Sequence, residues 1–184
     1  GAYSVLSGGA LGGTGIVVAS VQVADGGGLT PGSVGMAAET LYGALTIDGD
    51  LSLSPTSLLR FDLAGNDLTP GGTDPFTMND LIHVTGVLTL DGTLDITPSA
   101  PFFGPFDTNS DFWTLFYYDG ALTNNFLDIS PASQALIAGD SYMFYIDYDV
   151  PGEIRLGVMI PEPTTWLLVG IGLALLAWAR RRVS

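Results

Sequence analysis

A thirteen-residue segment occurs twice in the chain, and apolar and polar residues alternate along both copies. Gly43–Pro55 and Gly86–Pro98 are identical at seven of thirteen positions. Along Ile82–Ile96, residues of one parity are apolar: Ile82, Val84, Leu88, Leu90, Leu94 and Ile96. The other parity is polar: His83, Thr85, Thr89, Asp91, Thr93 and Asp95. A period of two residues is typical of β-strands that bury one face, so the repeat predicts a mainly β fold.

Each copy of the repeat is interrupted near its middle by an Asp-Gly pair. Asp48-Gly49 and Asp91-Gly92 suit the tight type I′ turn of a hairpin. They equally suit a corner at which a strand bends into the next face of a solenoid, and the parity kept across the glycine favours the corner. No segment before the C-terminal tail has a convincing helical period, and Met36–Tyr42 is the best candidate for one or two helical turns.

Composition removes several classes of chemistry. The chain contains no Cys, and its five basic residues are all Arg, which excludes disulfides, thiolate metal sites and Lys Schiff bases. All nineteen acidic residues lie at or before Glu162, against Arg60 and Arg155 in the same stretch. So acidic a body repels phosphate backbones, which argues against nucleic-acid partners.

The C-terminal tail is apolar and then basic. Residues 166–179 read WLLVGIGLALLAWA without a charge, and Arg180, Arg181 and Arg182 follow. Trp166 and Trp178 stand near the two ends of this run, where aromatic residues meet a membrane interface. The pattern predicts a transmembrane helix at about 164–179, with the basic end 180–182 in the cytoplasm and the body outside.

The tripeptide Pro161-Glu162-Pro163, the apolar run and the Arg cluster together resemble the PEP-CTERM sorting signal of Gram-negative bacteria. The resemblance implies processing by an exosortase near the tripeptide, a transient anchor in the inner membrane, and delivery to the cell surface or to an extracellular, biofilm-type matrix. Export requires an entry signal, and Gly1 begins the sequence. We therefore expect either a removed signal peptide or the C-terminal piece of a longer protein.

The stretch from about Gly8 to Thr97 resembles the passenger-associated repeats of autotransporter-like proteins. Its motifs are Gly9–Gly15, Gly27–Gly32, Leu45–Leu53, Phe61–Leu63, Asp80–Leu90 and Gly92–Leu94. The resemblance implies a right-handed parallel β-helix over residues 1–100. Residues 101–160 are richer in aromatics and are interpreted as a β cap, followed by the sorting tail at 161–184. The alternative fold is a jelly-roll-like β-sandwich.

The candidate chemical sites are few. His83 lies on the polar parity of a strand and is interpreted as a solvated histidine. Asp48, Asp50, Asp147 and Asp149 are weak calcium candidates, because calcium prefers several oxygen ligands. Otherwise we expect no cofactor, no metal and no catalytic residue. The sequence predicts a non-enzymatic, exported structural protein of the surface or matrix. Two alternatives remain: an adhesin module that binds extracellular polysaccharide, and a glycan-degrading enzyme with paired carboxylates.

Overall fold

The computed structural model describes residues 1–32, 43–63, 79–98, 112–125, 127–138 and 142–160. Within these ranges the chain passes in turn through three sheets and then repeats the cycle. The first coil contains β1 (Ala2–Val5), β2 (Ala10–Gly13) and β3 (Gly15–Val17). The second contains β4 (Ser20–Val23), β5 (Gly28–Pro31) and β6 (Ala44–Ile47). The third contains β7 (Leu51–Leu53), β8 (Leu58–Leu63) and β9 (Leu81–Val84), and the fourth contains β10 (Leu88–Leu90), β11 (Thr93–Pro98) and β12 (Phe112–Tyr118).

Each strand of these coils pairs in parallel with the strand one coil away. Two short strands, β13 (Leu122–Asn125) and β14 (Asp128–Ile129), add to the first two sheets after the fourth coil. The first sheet therefore has the order β1-β4-β7-β10-β13, and the second has the order β14-β11-β8-β5-β2. The parallel pairing is consistent with the predicted β-helix, whereas a jelly roll is built from antiparallel sheets.

The apolar parity faces inward, and its side chains stack in columns from coil to coil. One column on the second sheet joins Leu11, Leu29, Leu59, Leu94 and Ile129 through successive strand pairs. Its three central leucines are fully buried, whereas Leu11 and Ile129 at its ends are only partly buried. The inward parity predicted for Ile82–Ile96 is confirmed at all six apolar positions. A residue in such a column is buried only because the neighbouring coils are present.

The Asp-Gly pairs are corners between sheets, so the hairpin alternative is wrong. Gly49 joins β6 on the third sheet to β7 on the first, and Gly92 joins β10 on the first sheet to β11 on the second. Both glycines have positive φ, and a Cβ on Gly49 would lie 2.6 Å from the backbone nitrogen of Ser20 in the preceding coil. The two copies of the sequence repeat thus form the same strand–corner–strand unit on different faces of the coil.

The C-terminal part of the body closes the third sheet with antiparallel strands. β15 (Met143–Asp147) pairs with β16 (Glu153–Met159), and β16 pairs antiparallel with β12, giving the order β15-β16-β12-β9-β6-β3. The parallel pairing runs on to Ile129, and the division into residues 1–100 and 101–160 stays a prediction. Trp113 and Phe144 meet edge-on at 6.0 Å inside this region, where the aromatic-rich segment was expected to supply a cap.

The described residues include a helix, α1 (Pro131–Ala138), in a segment for which the sequence showed no convincing helical period, whereas the candidate Met36–Tyr42 lies outside the described residues. Ser130 caps it, because its Oγ accepts a hydrogen bond from the amide of Ser133 at 3.1 Å. Pro131 occupies the first helical position, where a missing N–H costs nothing. The side chain of Gln134 accepts from the amide of Phe144 at 3.0 Å and donates to its carbonyl at 2.8 Å. The helix thereby satisfies backbone groups at the outer edge of β15.

A buried pair, Asn79-Asp80, fastens the corner between the second and third sheets. The Asp80 carboxylate accepts a hydrogen bond from the amide of Asp62 in the same coil at 2.8 Å. It also accepts one from the amide of Gly43 in the preceding coil at 3.0 Å. The Asn79 amide group donates to the carbonyl of Thr114 in the next coil at 2.8 Å. Burial raises the pKa of Asp80 to about 7, although the two backbone amides oppose this shift by stabilising the ionised form.

The stacked columns predict that two adjacent leucines of β8 contribute very differently to the free energy of unfolding. Leu59→Ala removes a fully buried side chain from the middle of a column, whereas Leu58 is 37% exposed on the outer face. We expect Leu59→Ala to lower the free energy of unfolding by about 2–5 kcal/mol, and Leu58→Ala to lower it by less than about 1 kcal/mol. Urea unfolding of the full chain in detergent, followed by circular dichroism, measures both values. Equal losses would contradict the assigned register.

The buried Asp80 predicts a stability that falls as pH rises. The pKa of an aspartate is 3.8 without such burial and about 7 at Asp80. Between these pH values the folded chain therefore binds more protons than the unfolded chain. The free energy of unfolding should therefore decrease from about pH 4 to about pH 7, by an amount on the order of 2–4 kcal/mol. Burial also raises the pKa of Asp62, which acts in the same direction.

The same urea titration across this pH range tests the assignment to Asp80. Asp80→Asn removes the titrating group and should flatten most of the pH dependence, even though the variant is less stable throughout. Asp25→Asn, an exposed aspartate on a different corner, serves as the control and should keep the full slope. An unchanged slope in Asp80→Asn would assign the effect to other groups.

Candidate binding groove

The outer face of the third sheet carries a row of polar side chains at matching positions of four adjacent strands. The strand register aligns Thr46 of β6 with His83 of β9, His83 with Tyr117 of β12, and Tyr117 with Glu153 of β16. We call these four residues the outer row. Since neighbouring strands lie about 4.8 Å apart, the row is about 14 Å long.

Alternation explains why these residues point outward. On β6 and β9, Leu45, Ile47, Ile82 and Val84 fill the interior, and the residues between them face solvent. On β12, Phe116 is fully buried, and its ring contacts that of Phe61 across the core at a centroid distance of 5.6 Å. Tyr117, the next residue, is half-buried. The inward anchors therefore fix the outer row in register.

The outer row forms the floor of a groove of about 510 Å³. Its walls come from the end of β12 and from the turn that precedes β16. The full lining is Ala44, Thr46, Leu81, His83, Tyr117, Tyr118, Asp119, Pro151, Gly152 and Glu153. The lining thus combines hydroxyl, imidazole and carboxylate groups with aromatic rings, which is a typical composition for a site that binds a polar ligand.

Two side-chain contacts set the electrostatics of the groove. His83 Nε2 lies 3.1 Å from Asp119 Oδ2, and the two side chains are 36% and 62% exposed. At the other end of the row, Glu153 pairs with Arg155, whose Nη2 and Nε lie 2.6 Å and 2.7 Å from Oε2. The Arg155 guanidinium also lies over the Phe112 ring at 4.3 Å, which holds it in place. Glu153 is therefore held in one position by a cation.

A second groove of about 690 Å³ lies beside α1. It is lined by Pro55, Asp91, Leu127, Asp128, Ile129, Gln134, Ile146 and Tyr148. The Tyr148 hydroxyl accepts a hydrogen bond from the amide of Leu127 at 3.2 Å, and burial raises the pKa of this phenol. Gln134 is committed to the edge of β15. Several polar groups of this groove therefore serve the fold.

The calcium candidates take part in local hydrogen bonds. Asp48 Oδ1 accepts from the Thr85 hydroxyl at 3.0 Å, and Asp50 Oδ1 accepts from the amide of Val87 at 2.8 Å. Asp147 Oδ1 accepts from the amide of Asp149 at 2.9 Å. Throughout the described ranges, no three or more His, Asp or Glu side chains are grouped so as to hold a metal ion. These four aspartates thus belong to corners and strand ends.

The predicted tail lies outside the part of the chain that the structure describes. This holds for Pro161, Glu162 and Pro163, for Trp166 and Trp178, for Arg180, Arg181 and Arg182, and for the membrane helix at about 164–179. Among the described residues, no helix is long and apolar enough to cross a membrane. His83 is half-exposed on the outer face, as its parity predicted. Sequence reasoning did not bring it together with Asp119, Tyr117 and Glu153, because those contacts join different coils.

Comparison with known proteins finds matches to the sorting tail and to an autotransporter adhesin. Residues 160–182 match the PEP-CTERM protein-sorting motif, which confirms the resemblance of the tail. The chain is also 42% identical over 127 residues to the adhesin BmaC autotransporter of Brucella suis biovar 1 (strain 1330). That similarity covers 65% of this chain and 3% of the autotransporter. It is consistent with the autotransporter-type repeats expected from the sequence.

Proposed function

We propose that the chain is an exported, non-enzymatic structural protein of the cell surface or extracellular matrix of a Gram-negative bacterium. The observation that carries the proposal is the PEP-CTERM motif at residues 160–182, which begins directly after β16, the last strand of the body. An exosortase would act on the chain near Pro161-Glu162-Pro163. Until then, the apolar segment 164–179 holds the chain in the inner membrane, and Arg180–Arg182 keep its end in the cytoplasm.

The body suits this role because its stability comes from stacked coils and requires no disulfides. Stacked coils of a right-handed parallel β-helix form an elongated object without disulfides, and the chain has no Cys. Its acidic surface, with nineteen acids against five arginines in the whole chain, supports solubility outside the cell. The closing of the third sheet by antiparallel strands and the cover of β15 by α1 protect one end of the stack from edge-to-edge association.

A second candidate function is an adhesin module. The observation that favours it is the similarity to a protein named as an adhesin autotransporter, although the chain spans only 3% of that protein. An adhesin shares the export, the surface location and the repeated body, and it adds a surface that recognises a partner. Within the described residues, the outer row and its groove combine polar and aromatic side chains that suit recognition of a partner.

Replacing Pro161, Glu162 and Pro163 together with Ala tests the sorting proposal in a cell that expresses an exosortase. The mature protein should lose its tail and leave the membrane, whereas the triple variant should keep its tail and stay in the inner-membrane fraction. Intact mass and cell fractionation measure both outcomes. Glu39→Ala, a glutamate far from the tail in sequence, should behave as the unchanged protein. Full-length wild-type protein in the cytoplasm would overturn the proposal.

A further inference from the structure

We propose that the groove over the outer row binds a linear, uncharged hexose saccharide. This inference rests on the adhesin form of the proposed function and supplies its ligand class. The groove and the row of aligned side chains carry it, and neither was visible in the sequence. Two properties of the groove select the ligand: its shape and length, and its charge. The course of β16 bears on access to the groove.

The outer row matches the spacing of a sugar chain. Four polar side chains repeat at about 4.8 Å along a line of about 14 Å, so successive hydroxyl groups of a short oligosaccharide would find a partner at each strand. His83 offers the ring nitrogen that does not contact Asp119, and Thr46 and Tyr117 carry hydroxyl groups that both donate and accept hydrogen bonds. A sugar hydroxyl also does both, so either partner can adopt the role that the other needs.

Tyr117 supplies a broad apolar surface in the middle of the row. It stands between His83 and Glu153 in the register of the sheet, whereas Tyr118, the next residue, pairs with the buried Val84 and packs against the core. A tyrosine combines an apolar ring with a polar tip and loses little conformational entropy on binding. The apolar face of a pyranose ring can lie on Tyr117 while its hydroxyl groups reach the neighbouring polar groups.

The charge of the groove excludes acidic saccharides. Asp119 is 62% exposed at the rim, and Glu153 lies at the end of the row. Arg155 is engaged by Glu153 and by the Phe112 ring, so its charge is balanced within the protein. The surrounding body is strongly acidic. Glu153 and Arg155 balance each other, so an anionic sugar would meet the exposed Asp119 carboxylate and the acidic body, which repel it, whereas neutral hexoses carry no such penalty and can donate hydrogen bonds to Asp119.

The direction of β16 carries the chain away from the groove. Glu153 begins this strand beside Tyr117, and Met159 ends it beside Met143 of β15. Six residues of extended strand span about 20 Å. The chain therefore leaves the sheet at the end of β16 remote from the outer row.

The test measures saccharide binding by isothermal titration calorimetry. The probes are cellohexaose, a neutral β-linked glucose hexamer, mannohexaose, and the anionic hexamer of galacturonic acid. The full chain is kept in a zwitterionic detergent that lacks a sugar headgroup, so that the detergent does not compete. At least one neutral hexamer should bind with a Kd in the range of about 10 µM to 1 mM, and galacturonate at least about 10-fold more weakly.

Three tyrosine variants locate the binding. Tyr117→Ala should weaken the neutral hexamer about 10-fold, because it removes the ring, and Tyr117→Phe should weaken it about 3-fold, because it removes only the hydroxyl. Tyr3→Ala removes a tyrosine that is 61% exposed on the first sheet and should bind normally. His83→Gln keeps a polar group on β9 and provides a second test in the row, where a loss of about 2–5-fold is expected. Circular dichroism confirms that each variant is folded.

The outcomes separate this proposal from the one on which it rests. The proposal is overturned if no neutral hexamer binds, if galacturonate binds more tightly, or if Tyr117→Ala and His83→Gln bind like the unchanged protein. Protease accessibility of the chain on whole cells reports surface display independently. Normal display without saccharide binding would reject the groove alone, whereas loss of display would reject the proposed export.

Discussion

Backbone hydrogen bonding between coils is the constraint on which the rest of this structure depends. The parallel strands of the three sheets bond their amides and carbonyls to strands of neighbouring coils, so that Leu29 pairs with Leu11 on one side and Leu59 on the other. The inward columns follow from this ladder, since in-register pairing places like residues above one another. The corner glycines follow as well, because at Gly49 a side chain would collide with the coil below. A solenoid of this kind gains stability with each coil that it adds.

Corners of unequal length divide the surface of the body into two regions. The turns from the first to the second sheet and from the third to the first are short; residues 54–57 are an example of the first kind and residues 48–50 of the second. The connections from the second to the third sheet are longer in all of the last three coils, and each contains residues outside the described ranges. Asn79 and Asp80 lie at this variable corner and tie its coils together. The outer row lies toward the opposite end of the same strands, beside the short turns.

The groove lies on the side of the body with short corners, and this position determines which residues line it. Tight corners hold the ends of β6, β9 and β12 at fixed spacing, so Thr46, His83 and Tyr117 remain aligned. The antiparallel return of β16 then adds Glu153 and Arg155 from a different direction. Without that return, the sheet would end at β12 with an open edge, and the row would lack its acidic end. The device that closes the sheet thus also completes the candidate site.

The sequence by itself determined the mainly β class, the inward parity of the repeat and the sorting motif, because each depends on residues close together in the chain. Apolar alternation over Ile82–Ile96 needs no knowledge of neighbours, and neither does the order of tripeptide, apolar run and arginines. The capped helix α1 was missed although Ser130-Pro131 marks its start, because its eight residues are too few for a clear period. Tertiary structure alone decided that Gly43–Pro55 and Gly86–Pro98 occupy different faces, that Asp80 is buried, and that His83 meets Asp119. These facts depend on which strands stack one coil apart. Corner lengths and insertions set that pairing, and no local pattern of side chains records it.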